Sequence, residues 1–381
     1  MLISRCSAPT KRTSCKIIDG VVMNDVCYTG VKREELIYDD DDYQQERELV
    51  LRNNSKDGVM PMTKKELDLE REASFELVKK FTMNLFRMDF TNFSFPCIYS
   101  ENRSFLERTA DLFTFLANTY IEKAKNAIKD VDKLVFIAIG ITAGFHLYIK
   151  SKKPWNPVLG ETYVGRWQNG TTIYGEQTSH HPPYSYFQIY GPNNSWKCNA
   201  NNQFTIDSGI FNVNIIQKGK FKLEFNDGNE YEWEFPNISV SGILKGDRIV
   251  KIIGTMKIRD LKNMLECNIK LAPNNGKVKG YPKGHANTLF GTISKVGDKK
   301  IIKEITGDFC HEIFVDDKVY WNIEKNIVKR PIEKVNDDEL LPSDCRFRLD
   351  RSLLIRKKID LADQAKTEIE LLQRHEKKIR K

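Results

Sequence analysis

A chain of 381 residues that is 40% hydrophobic can build a sizeable core, as one large domain with tails or as two ordinary domains. Its formal net charge of +8 suits an anionic membrane surface, a phosphorylated ligand or nucleic acid, and does not choose among them. The eight cysteines are scattered with no C-x-x-C pair, which excludes a zinc or disulfide framework and fits reduced thiols in the cytosol.

In chain order, the N-terminus MLISRCSAPTKRTSCK has no continuous apolar core and does not read as a secretory signal. Residues 1–70 carry the acidic run 39–42, then QQERE and NNSKDG, with no sustained core period, so a disordered or loosely helical tail is expected. The remainder, 71–381, is read as one domain. Over residues 75–86, Phe75, Val78, Phe81 and Leu85 recur at helical spacing. This short amphipathic helix is either a packing element or a lid that touches membranes, and spacing alone favours packing. Residues 103–150 read as two helices. The most apolar stretch, 134–149, is short for a bilayer and is interrupted by Gly140, Gly144 and His146, so it is read as buried, and any membrane contact as peripheral.

From about 160 to 320 the texture changes to short alternating runs punctuated by Gly, Asn and Asp. Such a series predicts a large antiparallel barrel or curved sheet, wide enough to enclose a ligand. The segment LPSDCRFRLDRSLL reads as a polar connector, and DLADQAKTEIELLQRHEKKIRK as a charged terminal helix.

The most informative segment is EQTSHHPP, residues 176–183. Neighbouring side chains of a strand face opposite sides, so His180 and His181 serve one ligand only if the chain turns here. Pro182 and Pro183 make a turn plausible, since Pro182 keeps His181 out of the helical region. Two imidazoles at a strand end suit a phosphate, and a structural role remains the alternative. No H-E-x-x-H, G-x-S-x-G, P-loop or dinucleotide glycine pattern is present. A hydrolase lacks a nucleophile or metal set, and a nucleic-acid binder lacks a recognition element.

These residues resemble a known family. EQTSHHPP is similar to the EQVSHHPP signature of oxysterol-binding proteins, with Thr178 in place of Val. KPWNPVLGETY, residues 153–163, and FPCIYSENRSFLER, residues 95–108, resemble two further family blocks, and LPSDCRFR with AKTEIELLQR resembles its closing pattern. The resemblance spans roughly residues 75–381. It implies an incomplete antiparallel β-barrel around a hydrophobic tunnel, with a lid over about 75–92 and flanking helices. It further implies binding and transfer of single lipids, sterol or phosphatidylserine, in exchange for phosphatidylinositol 4-phosphate; a membrane lipid sensor without net transfer is the alternative. By the same resemblance the phosphoinositide headgroup falls to Lys153, Asn156, His180, His181, Lys366, Glu370 and Arg374, and the lid residues are Phe75, Val78, Phe81 and Leu85. Lys366, Glu370 and Arg374 are spaced four apart, which by itself reads as a surface salt-bridge ladder. No catalysis, metal, cofactor or nucleic-acid partner is implied, and the location implied is cytoplasmic and peripheral to membranes.

Overall fold

The computed structural model describes residues 16–18, 21–23, 57–60, 62–87, 96–150, 152–180, 182–208, 212–274, 278, 280–326 and 340–379. Side chains are described for these except 16–18, 21–23, 76–87 and 376–379. A small hairpin, β1 (Lys16–Ile18) with β2 (Val21–Met23), comes first in the chain. Helix α1 (Lys64–Arg87) follows. Strand β3 (Ser100–Ser104) then leads into α2 (Phe105–Phe115), a π-helical stretch Leu116–Tyr120, α3 (Ile121–Asn126) and α4 (Asp130–Ala143). Strand β4 (Lys153–Trp155) runs parallel to β3.

One antiparallel sheet of fourteen strands makes up the middle of the chain. Its first members are β5 (Thr162–Arg166), β6 (Thr172–His180), β7 (Pro183–Tyr190), β8 (Trp196–Ser208), β9 (Asn212–Lys218), β10 (Phe221–Phe225) and β11 (Glu230–Trp233). The rest are β12 (Asn237–Ser241), β13 (Ile249–Asp260), β14 (Leu265–Leu271), β15 (Thr288–Lys295), β16 (Lys303–Asp308), β17 (Glu312–Val315) and β18 (Lys318–Asn322). Period-two alternation is visible in β6, where Ile173, Gly175 and Gln177 are buried while Tyr174, Glu176 and Thr178 are exposed.

The sheet is a meander with one split. β8 and β13 are long, and each pairs with two shorter strands end to end: β10 and β9 on β8, β11 and β12 on β13. The break between β9 and β10 falls at Gly219, whose φ of 146° and whose approach to the Asn201 carbonyl leave no room for a Cβ. Asn201 closes the break by accepting from the Lys220 N–H at 2.8 Å through its side chain. Buried Gln217 staples the matching break between β11 and β12 by donating to the Pro236 carbonyl at 2.8 Å.

The edge strands β5 and β18 are not paired with each other. The helical layer lies across that opening. Beside β5, the Trp167 indole donates to Thr114 at 3.1 Å and the Asn169 amide to the Ala117 carbonyl at 2.8 Å. Beside β18, the Tyr120 hydroxyl donates to the Tyr320 carbonyl at 2.7 Å, and the Phe115 and Trp321 rings meet edge to face at 4.7 Å. The inward faces of the strands and helices α2 to α4 form one apolar core. The apolar stretch is therefore a buried helix, as expected, although the span Asp130–Tyr148 is long and apolar enough to cross a membrane by composition alone.

Two expectations are corrected. The tail does not extend to residue 70, because residues 57–60 already join the fold. The Gly58 carbonyl accepts from Val250 N–H at 3.2 Å, the Met60 N–H donates to the Arg248 carbonyl at 2.8 Å, and Met60 is buried. Helix α1 then starts at Lys64 behind a capping box, with the Thr63 N–H donating to Glu66 at 2.8 Å and the Glu66 N–H to the Thr63 hydroxyl at 3.2 Å. Its first half is held by a buried pair, Glu70 with Arg248 at 3.2 Å. The second correction concerns the supposed polar connector. Chain 345–353 is buried and takes in a 3-10 turn Cys345–Phe347 and most of helix α5 (Leu349–Ile355), ahead of the terminal helix α6 (Ile359–Ile379). Its arginines go inside because each has a carboxylate: Arg346 has Asp344, Arg348 has Asp350 and Glu161, and Arg351 has Glu107.

Candidate functional site

The histidine-bearing segment turns as the prolines require. β6 ends at His180, β7 begins at Pro183, and the two residues face each other across the turn. A bulge between Gln177 and Ser179 breaks the alternation just before the histidines. Gln177 shapes it by donating to the Ser179 carbonyl at 2.8 Å, and Ser179 closes the turn by donating to the Pro182 carbonyl at 2.7 Å. His180 is half-buried, and His181 lies outside the described residues.

The second block, KPWNPVLGE, runs beside that strand. The Gly160 N–H donates to the Gln177 carbonyl at 2.8 Å, and the Gln177 N–H donates back to the Glu161 carbonyl at 2.9 Å. Upstream, β4 pairs with β3, so the FPCIYSENRS block lies beside it with Ser100 opposite Lys153. Three stretches far apart in sequence are thus neighbours through backbone hydrogen bonds.

The C-terminal helices complete the arrangement. Trp155 is buried in a small separate core with Cys97, Leu349, Leu353, Ala362 and Ala365. That packing docks β4 against α5 and α6, and the Cys97 N–H adds a 2.7 Å bond to the Asp363 carboxylate of α6. On α6, Lys366, Glu370 and Arg374 do share one face. The Lys366 ammonium donates to Glu370 at 2.5 Å, and the Arg374 guanidinium lies 3.6 Å from the other Glu370 oxygen. Lys366 is buried, whereas Glu370 and Arg374 are partly exposed.

Lys153 feels this cluster. Burial of its ammonium, then the positive charges of Lys366 and Arg348, lower its pKa from 10.5 to about 8, with Glu370 pulling the other way. Asn156 is exposed, and its backbone carbonyl accepts from Arg348 at 2.8 Å. The structure therefore brings Lys153 together with Lys366 and Glu370, and sets the histidine strand alongside the same loop. Of the four lid residues, Phe75 is exposed on α1, while the side chains of Val78, Phe81 and Leu85 lie outside the described residues. Sequence reasoning missed Arg348 and Glu161 as supports of this loop. The arginines of RFRLDR gave no signal for this, since charge by itself predicts exposure.

Two clefts of about 430 and 360 Å³ share Tyr190 and Asn194 and lie at the far end of β7 from the histidine turn. Among the described residues, no group of three or more His, Cys, Asp or Glu side chains is placed to hold a metal ion. The five described cysteines are buried free thiols.

A family model described as oxysterol-binding protein matches residues 78–330. The chain belongs to the oxysterol-binding protein family. Oxysterol-binding protein 9 of Dictyostelium discoideum is 28% identical over 334 residues, which is 82% of this chain and 77% of that relative. Oxysterol-binding protein-related protein 8 of Mus musculus is 29% identical over 261 residues, 62% of this chain and 27% of the longer protein. The crystal structure of the Osh3 ORD in complex with PI(4)P from Saccharomyces cerevisiae matches with a TM-score of 0.66 at 18% identity, covering 78% of this chain and 83% of that one. The Osh1 ORD domain in complex with ergosterol matches with a TM-score of 0.65 at 20% identity, over 77% of each chain. At those identities the likeness to the solved structures is one of fold.

Proposed function

We propose that this chain binds single lipids and moves them between membranes, exchanging a sterol or phospholipid for phosphatidylinositol 4-phosphate. Lys153, Asn156, His180, His181, Lys366, Glu370 and Arg374 receive the headgroup, and the acyl chains lie in the apolar interior. The observation that carries this reading is the convergence of Lys153 with Lys366 and Glu370 beside the loop that runs along the histidine strand. A phosphomonoester brings close to two negative charges near neutral pH, and such a group offsets the crowding of cations there. Each buried methylene adds roughly 0.8 kcal/mol, so the tails supply affinity with few polar contacts. The protein acts in the cytoplasm and touches anionic membranes peripherally, with residues 75–92 as its lid. No chemical step is assigned to it. Family membership and the solved relatives with PI(4)P and ergosterol support the choice of lipids.

The reading is tested by transfer between liposomes. Fluorescent sterol should leave donor liposomes faster when acceptor liposomes carry phosphatidylinositol 4-phosphate. Lipid binding with no acceleration and no net transfer would favour a membrane sensor instead.

A further inference from the structure

Arg348 touches the proposed headgroup site through the backbone carbonyl of Asn156. It is 3% exposed. Its Nε and Nη2 fork onto the Asp350 carboxylate at 3.0 and 2.7 Å. Its remaining arm, Nη1, donates to the Asn156 backbone carbonyl at 2.8 Å and to Glu161 at 2.9 Å. The guanidinium also lies over the Trp155 ring, 5.2 Å from its centre. Glu161 holds two further points: it accepts from the Ser104 hydroxyl at 2.6 Å and from the Val158 N–H at 3.0 Å. One side chain and its carboxylate partner thus grip the 155–161 loop at Trp155, Asn156, Val158 and Glu161, and anchor it to the start of α5.

We propose that Arg348 is a positioning residue for lipid headgroup recognition, fixing the loop that carries Lys153 and Asn156 against the C-terminal helices. This rests on the headgroup reading above and adds the part that sets its geometry. Lys153 and Asn156 bracket Trp155, so a shift of that ring moves both relative to Lys366 and Glu370. The fork is essential to the arrangement. An ammonium is a compact point charge and cannot span Asp350, Asn156 and Glu161 at once, whereas a planar guanidinium does. Arg348 also adds its charge to that of Lys366 in opposing the Lys153 ammonium, while Glu370 favours it and Cys97 lies close by.

The test uses the full chain with Arg348→Lys. Arg348→Lys keeps the buried charge, so the protein should still fold, with a melting temperature lowered by the loss of the fork. It should nonetheless extract phosphatidylinositol 4-phosphate about tenfold less well, the equivalent of one charge-assisted hydrogen bond, with sterol extraction unchanged. In Arg348→Lys, which keeps the positive charge, the titration midpoint of Lys153, followed by NMR of carbon-13-methylated lysine and assigned with Lys153→Arg, should still shift from its wild-type value as the loop moves. A purely structural ion pair would lower both lipids together and leave that midpoint in place. Arg348→Lys with wild-type phosphoinositide extraction, or with an unmoved Lys153 midpoint, overturns the proposal. If the wild-type protein extracts phosphatidylinositol equally well, the headgroup reading fails, and the lysine titration alone still decides whether Arg348 governs that loop.

Discussion

Lys153 allows the electrostatics of the site to be worked through to a measurable curve. Its ammonium has a pKa lowered from 10.5 to about 8, chiefly by burial and then by Lys366 and Arg348. That difference corresponds to about 3 kcal/mol of unfavourable interaction with the charged form. A bound phosphate opposes the same terms and restores the charged lysine. The sign then follows. Between neutral pH and about 8 the free protein already carries the proton, so the lysine leaves affinity level there. Above it the free protein loses the proton while the complex keeps it, so affinity falls by about tenfold per pH unit until the bound pKa is reached. An imidazole ordinarily titrates well below that window, so the alkaline limb reports the lysine. Titrating phosphatidylinositol 4-phosphate binding at several pH values, with calorimetry in buffers of different ionisation enthalpy, gives both the slope and the proton count. Uptake approaching one proton per lipid is expected on the alkaline side. Lys153→Met should weaken binding at neutral pH and flatten the limb. A wild-type affinity that stays level through pH 9 would refute the reasoning, as would an unchanged slope in Lys153→Met.

Two further outcomes follow from burial. Asp308 is fully buried, accepts from the Cys310 N–H at 2.7 Å, and is raised by burial from 3.8 to about 7. Its folded pKa lies above the unfolded one, so its contribution is full below about pH 4 and is lost as pH rises through 7, by up to about 4 kcal/mol. Asp308→Asn should remove that slope and raise the urea midpoint at neutral pH, and a lowered midpoint would contradict this. Gly144 lies where a Cβ would meet the Leu112 carbonyl at 2.4 Å, so Gly144→Ala should force the helices apart and cost about 1–3 kcal/mol in denaturant melts.

Much of the sheet was legible because its strands have one wet and one dry face, and alternation survives in runs such as those of β6 and β14. The turn at the histidines was legible from Pro182 and Pro183. The start of α1 was written as T-x-x-E at 63–66, but polar residues dominate its first turns and hid the helix until Phe75. The burial of RFRLDR was not legible, because charge predicts exposure unless the partners are known. Two of those partners, Glu107 and Glu161, are almost two hundred residues away or more. For the same reason Lys366, Glu370 and Arg374 read from spacing as an ordinary ladder. Only the docking of Trp155 against α5 and α6 brings Lys366 and Glu370 to Lys153.

The central claim is that the site selects a phosphorylated inositol headgroup. It is tested most directly by incubating the purified protein with liposomes holding equal amounts of phosphatidylinositol 4-phosphate and phosphatidylinositol, and weighing the extracted lipid by mass spectrometry. The account predicts a strong excess of the phosphorylated lipid, lost in the His180→Ala, His181→Ala double variant while its melting temperature is retained. Equal extraction of the two lipids by the wild-type protein would contradict it, as would a double variant that loses extraction only because it no longer folds.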